Sequence, residues 1–166
     1  NLTQTMAGVY ATGYFYIASI AGVLLGGYIA DRLSKRNIYA RIVVPMIGLC
    51  IASPAILFAS YTSVLTLSVI GFMLYAFTRV FSDGNMMPII CLIVNDKHRA
   101  TAYGILNFFA TIIGGIGIYV GGYLRDANIN LSTLFQIAGI LMGFGALSLF
   151  LLQRYLNKRE KISGNI

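Results

Sequence analysis

Gly27-Tyr28-Ile29-Ala30-Asp31-Arg32-Leu33-Ser34-Lys35-Arg36 is a short charged turn set between two long apolar runs. A glycine closes one apolar segment, an acid and a base follow, and two more bases precede the next segment. Bases gathered in short links between apolar runs are the pattern of a chain threaded through a bilayer.

The composition points the same way. Of 166 residues, 58% are hydrophobic and 10% are charged, whereas a soluble domain carries about a quarter charged residues. A soluble fold of this size could not hide so much apolar surface, so a lipid bilayer is the expected surroundings. The net charge of +7 does not indicate nucleic acid. The bases lie in the connections rather than on one polar face, and no aromatic and basic residues interleave into a stacking platform. Cys50 and Cys91 lie inside apolar runs, where they read as small hydrophobes, without metal spacing or a disulfide framework. No cofactor and no metal are expected. Asn1-Leu2-Thr3 matches a glycosylation sequon, and the start of the chain lacks a cleavable signal-peptide pattern. No Gly-x-Ser-x-Gly elbow or phosphate loop is present, so the chain is not read as an enzyme.

A spanning helix needs about 20 mostly apolar residues, and five stretches qualify: 6–30, 38–59, 64–94, 101–124 and 131–152. The third contains Arg79 and Asp83. Were these in a loop, the flanks 64–78 and 86–94 would each be too short to span. One long helix, bent near Gly84 and Pro88, is the simpler expectation. The link after the first span holds Arg32, Lys35, Arg36 and Arg41, the link after the third holds Lys97 and Arg99, and the end holds Arg154, Lys158, Arg159 and Lys161. Five spans put these three places on one side, opposite Arg125, so the positive-inside rule makes that side cytoplasmic.

Arg79 and Asp83 are the foremost candidates for function. A charge near the bilayer midplane costs several kcal/mol and must face protein or water. The two residues are one helical turn apart on one face. Either they neutralise each other structurally, or Arg79 offers its fork to a carboxylate or phosphate while Asp83 changes partner or protonation.

The opening stretch resembles the signature loop of the major facilitator superfamily, Gly-x-x-x-Asp-Arg/Lys-x-Gly-x-Arg/Lys-Arg/Lys. Gly27, Asp31, Arg32, Lys35 and Arg36 fit it, and Ser34 stands where that family usually has glycine. Arg99-Ala100-Thr101-Ala102-Tyr103-Gly104 resembles the Arg-x-Thr-Ala-x-Gly start of a late helix in many members. The resemblance implies an all-α integral membrane protein, about five transmembrane helices of a twelve-helix fold built from two halves of six. It also implies a secondary transporter that moves a small solute by alternating access. Residues 1–153 are expected to form the helical bundle, corresponding to helices eight to twelve, and 154–166 a basic cytoplasmic tail. Helices two to six of the first half are the alternative. The remaining helices of the same transporter are then partners. The expected location is the bacterial inner membrane.

Several residue roles follow from the resemblance. Gly27, Asp31, Arg32, Lys35, Arg36 and Arg99 become gating residues, with Asp31 set against the start of the fourth span near Arg99 and Thr101. The first, third and fourth spans would line the solute cavity, making Arg79, Asp83, Asn85, Asn107 and Tyr14, with Tyr10, substrate contacts. Gln136 falls on a peripheral helix, and His98 is a solvated link residue. The chain resembles carriers of sugar acids and other organic anions, coupled to an ion gradient as symporters, more than drug exporters. A proton-antiport exporter using Asp83 and a non-transporting accessory subunit are the rivals. Within the chain, Gly26-Gly27-Tyr28-Ile29-Ala30-Asp31 recurs as Gly121-Gly122-Tyr123-Leu124-Arg125-Asp126, matching the inverted repeats of such transporters.

Overall fold

The computed structural model describes residues 4–36, 38–127 and 132–163 and, within them, all side chains except those of 4–11, 40 and 159–163. The sequon at Asn1 and the Tyr10 side chain lie outside what is described. Every regular element among the described residues is a helix: α1 (Gln4–Ser34), α2 (Ala40–Tyr61), α3 (Leu65–Arg79), α4 (Phe81–Ile93), α5 (Arg99–Asp126) and α6 (Ser132–Ser163), with a 3₁₀ turn at Asp96–His98. Five stretches are long and apolar enough to cross a membrane, Thr12–Ser34, Arg41–Tyr61, Leu65–Ile93, Asp96–Asp126 and Ser132–Lys158. They coincide with the five expected spans, the third being α3 and α4 together. The segment from 154 onward begins as helix, because α6 continues through Arg154 and Lys158 to Ser163.

In a bilayer, lipid tails are as apolar as side chains, so helices associate through close packing of small residues and through polar links. α2 lies at the centre and packs on α1, α3, α4 and α6. Its buried side chains include Ala52, Ala55 and Ala59. Three hydroxyls tie α2 to its neighbours by donating to carbonyls: Ser53 to Gly139 (2.7 Å), Ser132 to Ser60 (2.6 Å) and Ser68 to Ala59 (3.0 Å). Helices also approach closely around Phe81, which is buried with Ala30 and Val44. A Cβ on Gly26 would lie 2.8 Å from the Phe81 ring, and one on Gly48 2.5 Å from the Thr78 carbonyl oxygen. Glycine at these two places lets α1 and α2 close on the same aromatic side chain from two directions.

α5 differs from the other helices. None of its residues is buried, and it meets the bundle chiefly through the end of α4.

The two copies of the Gly-Gly-Tyr repeat share a packing pattern. In each, the first glycine is in contact with a neighbouring helix, Gly26 with Phe81 and Gly121 with Leu134, while the second faces open space. Tyr28 and Tyr123 are both exposed.

The third span departs from expectation in where it bends. Gly84 and Pro88 lie inside regular α4, and the interruption is at Val80, whose φ −73° and ψ −4° end α3 and start α4. Two contacts flank it. Thr78 Oγ1 donates to the Leu74 carbonyl (2.8 Å), a back-bond of the kind that often bends helices. One residue after the break, Phe81 is held between Gly26 and Gly48. The Val80 carbonyl then accepts from both Asp83 and Gly84 (3.1 and 3.4 Å).

Candidate functional site

The break at Val80 creates one wall of a groove of about 400 Å³. α1 supplies the other wall through three successive turns of one face, Phe15 and Tyr16, Ser19 and Ile20, Val23 and Leu24. The break contributes Arg79, Val80 and Asp83. Arg79 is the last residue of α3 and Asp83 lies in the first turn of α4. Each charge therefore sits at the helix end whose partial charge opposes its own, which lowers the cost of holding it inside a span.

The pairing between the two is loose. Arg79 Nη2 is 3.9 Å from Asp83 Oδ2, and the side chains are 41% and 53% exposed. A charge-assisted hydrogen bond is about 2.7–2.9 Å, so the guanidinium donors are not consumed by the carboxylate. Among the described residues no hydrogen bond from Arg79 is formed, and its fork remains available in the groove. Tyr75 stands one turn before Arg79, its phenol within the field of both charges, its ring 6.3 Å from that of Phe15. Ser19 donates its hydroxyl to the Phe15 carbonyl (2.9 Å). Beside Asp83, Ser82 Oγ is buried and has no hydrogen-bond partner among the described residues.

The other candidates lie elsewhere. Asn85 is 1% exposed and donates to the Phe81 carbonyl (2.9 Å), so it is part of the packed core and does not reach the groove. Asn107 is half-buried on α5, and Tyr14 is exposed on α1; neither lines the groove. Gln136 donates to Ser132 Oγ (3.3 Å) within α6. His98 is exposed ahead of α5.

The charged turn after α1 is a second centre. Asp31 does not rest against the start of α5; it pairs with Arg41 at the start of α2, Nη2 to Oδ1 2.9 Å. Arg32 donates to the Tyr28 hydroxyl (3.3 Å). Ser34 donates its hydroxyl to the Asp31 carbonyl (3.0 Å), so it caps a helix end where glycine was anticipated. Gly27 faces open space, and Lys35 and Arg36 are exposed. Arg99 is occupied with α4: it donates to the carbonyls of Cys91 (2.9 Å) and Val94 (3.3 Å) and pairs with Asp96 (2.8 Å). A cation at the carbonyl end of α4 satisfies otherwise orphaned acceptors and matches the helix dipole.

The first span was expected to line the cavity, and α1 does line the groove, but through the face from Phe15 to Leu24 and not through Tyr14; sequence reasoning missed that face and Tyr75. A four-residue ladder, Tyr75, Arg79, Asp83, was available as a signal for Tyr75. The α1 face had none, because no charged residue lies on it.

The Major Facilitator Superfamily model matches residues 1–165. Over 139 residues the chain is 31% identical to the probable sulfoacetate transporter SauU of Cupriavidus necator. That match covers 81% of this chain and 32% of the relative, so the chain spans about a third of the relative's length. No solved structure matches. With five apolar spans, the charged turn after α1 and a family match over nearly the whole sequence, the chain belongs to the Major Facilitator Superfamily, a family of membrane transporters rather than enzymes.

Proposed function

We propose that the chain is the C-terminal portion of a secondary transporter that moves an organic anion by alternating access, with Arg79 holding the anionic group. The observation that carries this reading is the Arg79 fork, free of hydrogen bonds among the described residues, at a helix break that opens into a groove. A guanidinium in that position can take a carboxylate or sulfonate through two parallel bonds. The relative's printed substrate, sulfoacetate, is an organic anion and supports the same class.

Charge balance gives Asp83 its part. Arg79 and Asp83 together are neutral, so an arriving anion leaves the groove with one uncompensated negative charge. Like charges about 4 Å apart repel by about 4 kcal/mol at an effective dielectric of about 20. Protonation of Asp83 removes that repulsion, and one proton then travels with each anionic charge. Asp31 and Arg41 hold the α1–α2 turn and gate the cycle. The excess of bases in the links supports a cytoplasmic side for that turn and for the end of α6, and the membrane of this reading is a bacterial inner membrane.

The test is uptake of radiolabelled organic anions by proteoliposomes that contain the whole carrier, with and without an imposed proton gradient. Arg79→Ala loses uptake while the protein stays folded and monodisperse, and Asp83→Asn keeps anion exchange but no longer accumulates anion against its gradient. Normal uptake by Arg79→Ala would overturn the assignment.

A further inference from the structure

We propose that a second groove, between α2 and α6, holds an anionic phospholipid, with one acyl chain along its apolar walls and the phosphate on Arg154. The groove has a volume of about 410 Å³. Met46, Cys50 and Ser53 line it from α2, and Gly143, Leu147 and Phe150 line it from α6. Both triplets step by four and then three residues, so each is one stripe of its helix, and the two stripes face each other.

The groove has a narrow end and a charged end. At Gly139, one turn before Gly143, the helices touch: an added Cβ would lie 2.8 Å from Leu57, and Ser53 donates its hydroxyl to the Gly139 carbonyl (2.7 Å). At Gly143 the contact relaxes, and Ser53 Oγ would be 3.6 Å from such a Cβ. Past the other end, the Arg154 guanidinium lies over the Phe150 ring, 4.8 Å from its centroid. Lys158 follows one turn later, and both bases are exposed. The stripe on α6 therefore runs from apolar into basic along a single face.

Length agrees with a lipid. From Gly143 to Arg154 the helix rises about 16 Å at about 1.5 Å per residue, and one leaflet of the hydrocarbon core is about 15 Å deep. A chain that ends beside Gly143 brings its phosphate to the level of Arg154. Lipid tails are as apolar as these walls, so the chain contributes fit rather than driving force, and the choice among lipids falls to charge. A guanidinium offers a phosphate its fork. Each base near the surface is worth about fivefold in affinity for an anionic headgroup. Phosphatidylcholine carries the same phosphate, but its ammonium group cancels the charge.

The experiment places the whole carrier in phosphatidylethanolamine vesicles doped with one of two probes. These are phosphatidylglycerol and phosphatidylcholine with the same diazirine on one acyl chain. After illumination, adducts are mapped by peptide mass spectrometry. Phosphatidylglycerol is expected to label Met46, Cys50 and Leu147 about fivefold or more above phosphatidylcholine. Arg154→Ala with Lys158→Ala should bring that ratio to about one, and Arg154→Lys alone should keep most of it. Gly143→Leu puts a side chain into the groove and should lower labelling there by both lipids. Arg125→Ala removes a base on α5 and should leave the ratio unchanged. Equal labelling by the two lipids overturns the proposal, as does a phosphatidylglycerol excess that survives loss of both bases. No labelling of these residues means that another segment of the carrier or a second copy covers the groove, and overturns it as well.

Discussion

Arg41 Nη2 lies 2.9 Å from Asp31 Oδ1, so the last turn of α1 and the first turn of α2 are pinned by a charge-assisted bond at the edge of the bundle. Arg41 is the more enclosed partner, its side chain 26% exposed against 65% for Asp31. An ion pair this open contributes at most about 1 kcal/mol to stability. In the proposed transport cycle its use is geometric, setting how the two spans leave the turn. Asp31→Asn and Arg41→Gln should each shift the thermal midpoint in detergent only slightly yet lower the transport rate about tenfold. The exchanged pair Asp31→Arg with Arg41→Asp should recover part of that rate. A rate unchanged by both single substitutions would show that the turn is only an anchor.

Gly26 and Phe81 form a second testable contact. A valine at 26 would drive its side chain into the Phe81 ring, which is also held from the Gly48 side. Overpacking of this kind costs about 1–3 kcal/mol. Gly26→Val should therefore reduce the yield of folded carrier, and Gly26→Val with Phe81→Ala should restore part of it. Gly27→Val faces open space and should leave the yield unchanged, which makes it the internal control.

Arg99 joins α4 to α5 through two carbonyls and Asp96. Hydrogen bonds to a charged group are worth about 1.5–3 kcal/mol each when a partner is lost. Arg99→Ala should lower the thermal midpoint clearly, and Arg99→Lys should restore little, because an ammonium cannot span two carbonyls as a planar fork does. Hydrogen exchange should show the loss concentrated at the last turn of α4. Equal stability of Arg99→Lys and the parent would refute the bridging role.

Much of the architecture was readable because each apolar run exceeds the length of a bilayer crossing, and the ion-pair candidates Arg79 and Asp83 were readable from their four-residue spacing. The position of the break was not. The local marks of a kink, Gly84 and Pro88, lie inside regular helix, while the interruption falls at Val80, next to Phe81, which is caught between two other helices. That contact is tertiary and leaves no local sequence sign. The partner of Asp31 was hidden for a related reason. Four bases crowd the first link, and only the fold shows that Arg41, and not Arg99 from a distant link, is the one within bonding distance. Asn85 illustrates the reverse error: polarity inside a span suggested a solute contact, whereas the residue satisfies its own helix in the core.

Because Val80 divides the third span, the separation of Arg79 and Asp83 is not set by the helical repeat alone, as it would be along an uninterrupted helix. It depends also on the φ and ψ of Val80. Turning α4 relative to α3 stretches or shortens the 3.9 Å gap, so mechanical bending at that residue is also electrical work done on whatever lies in the groove.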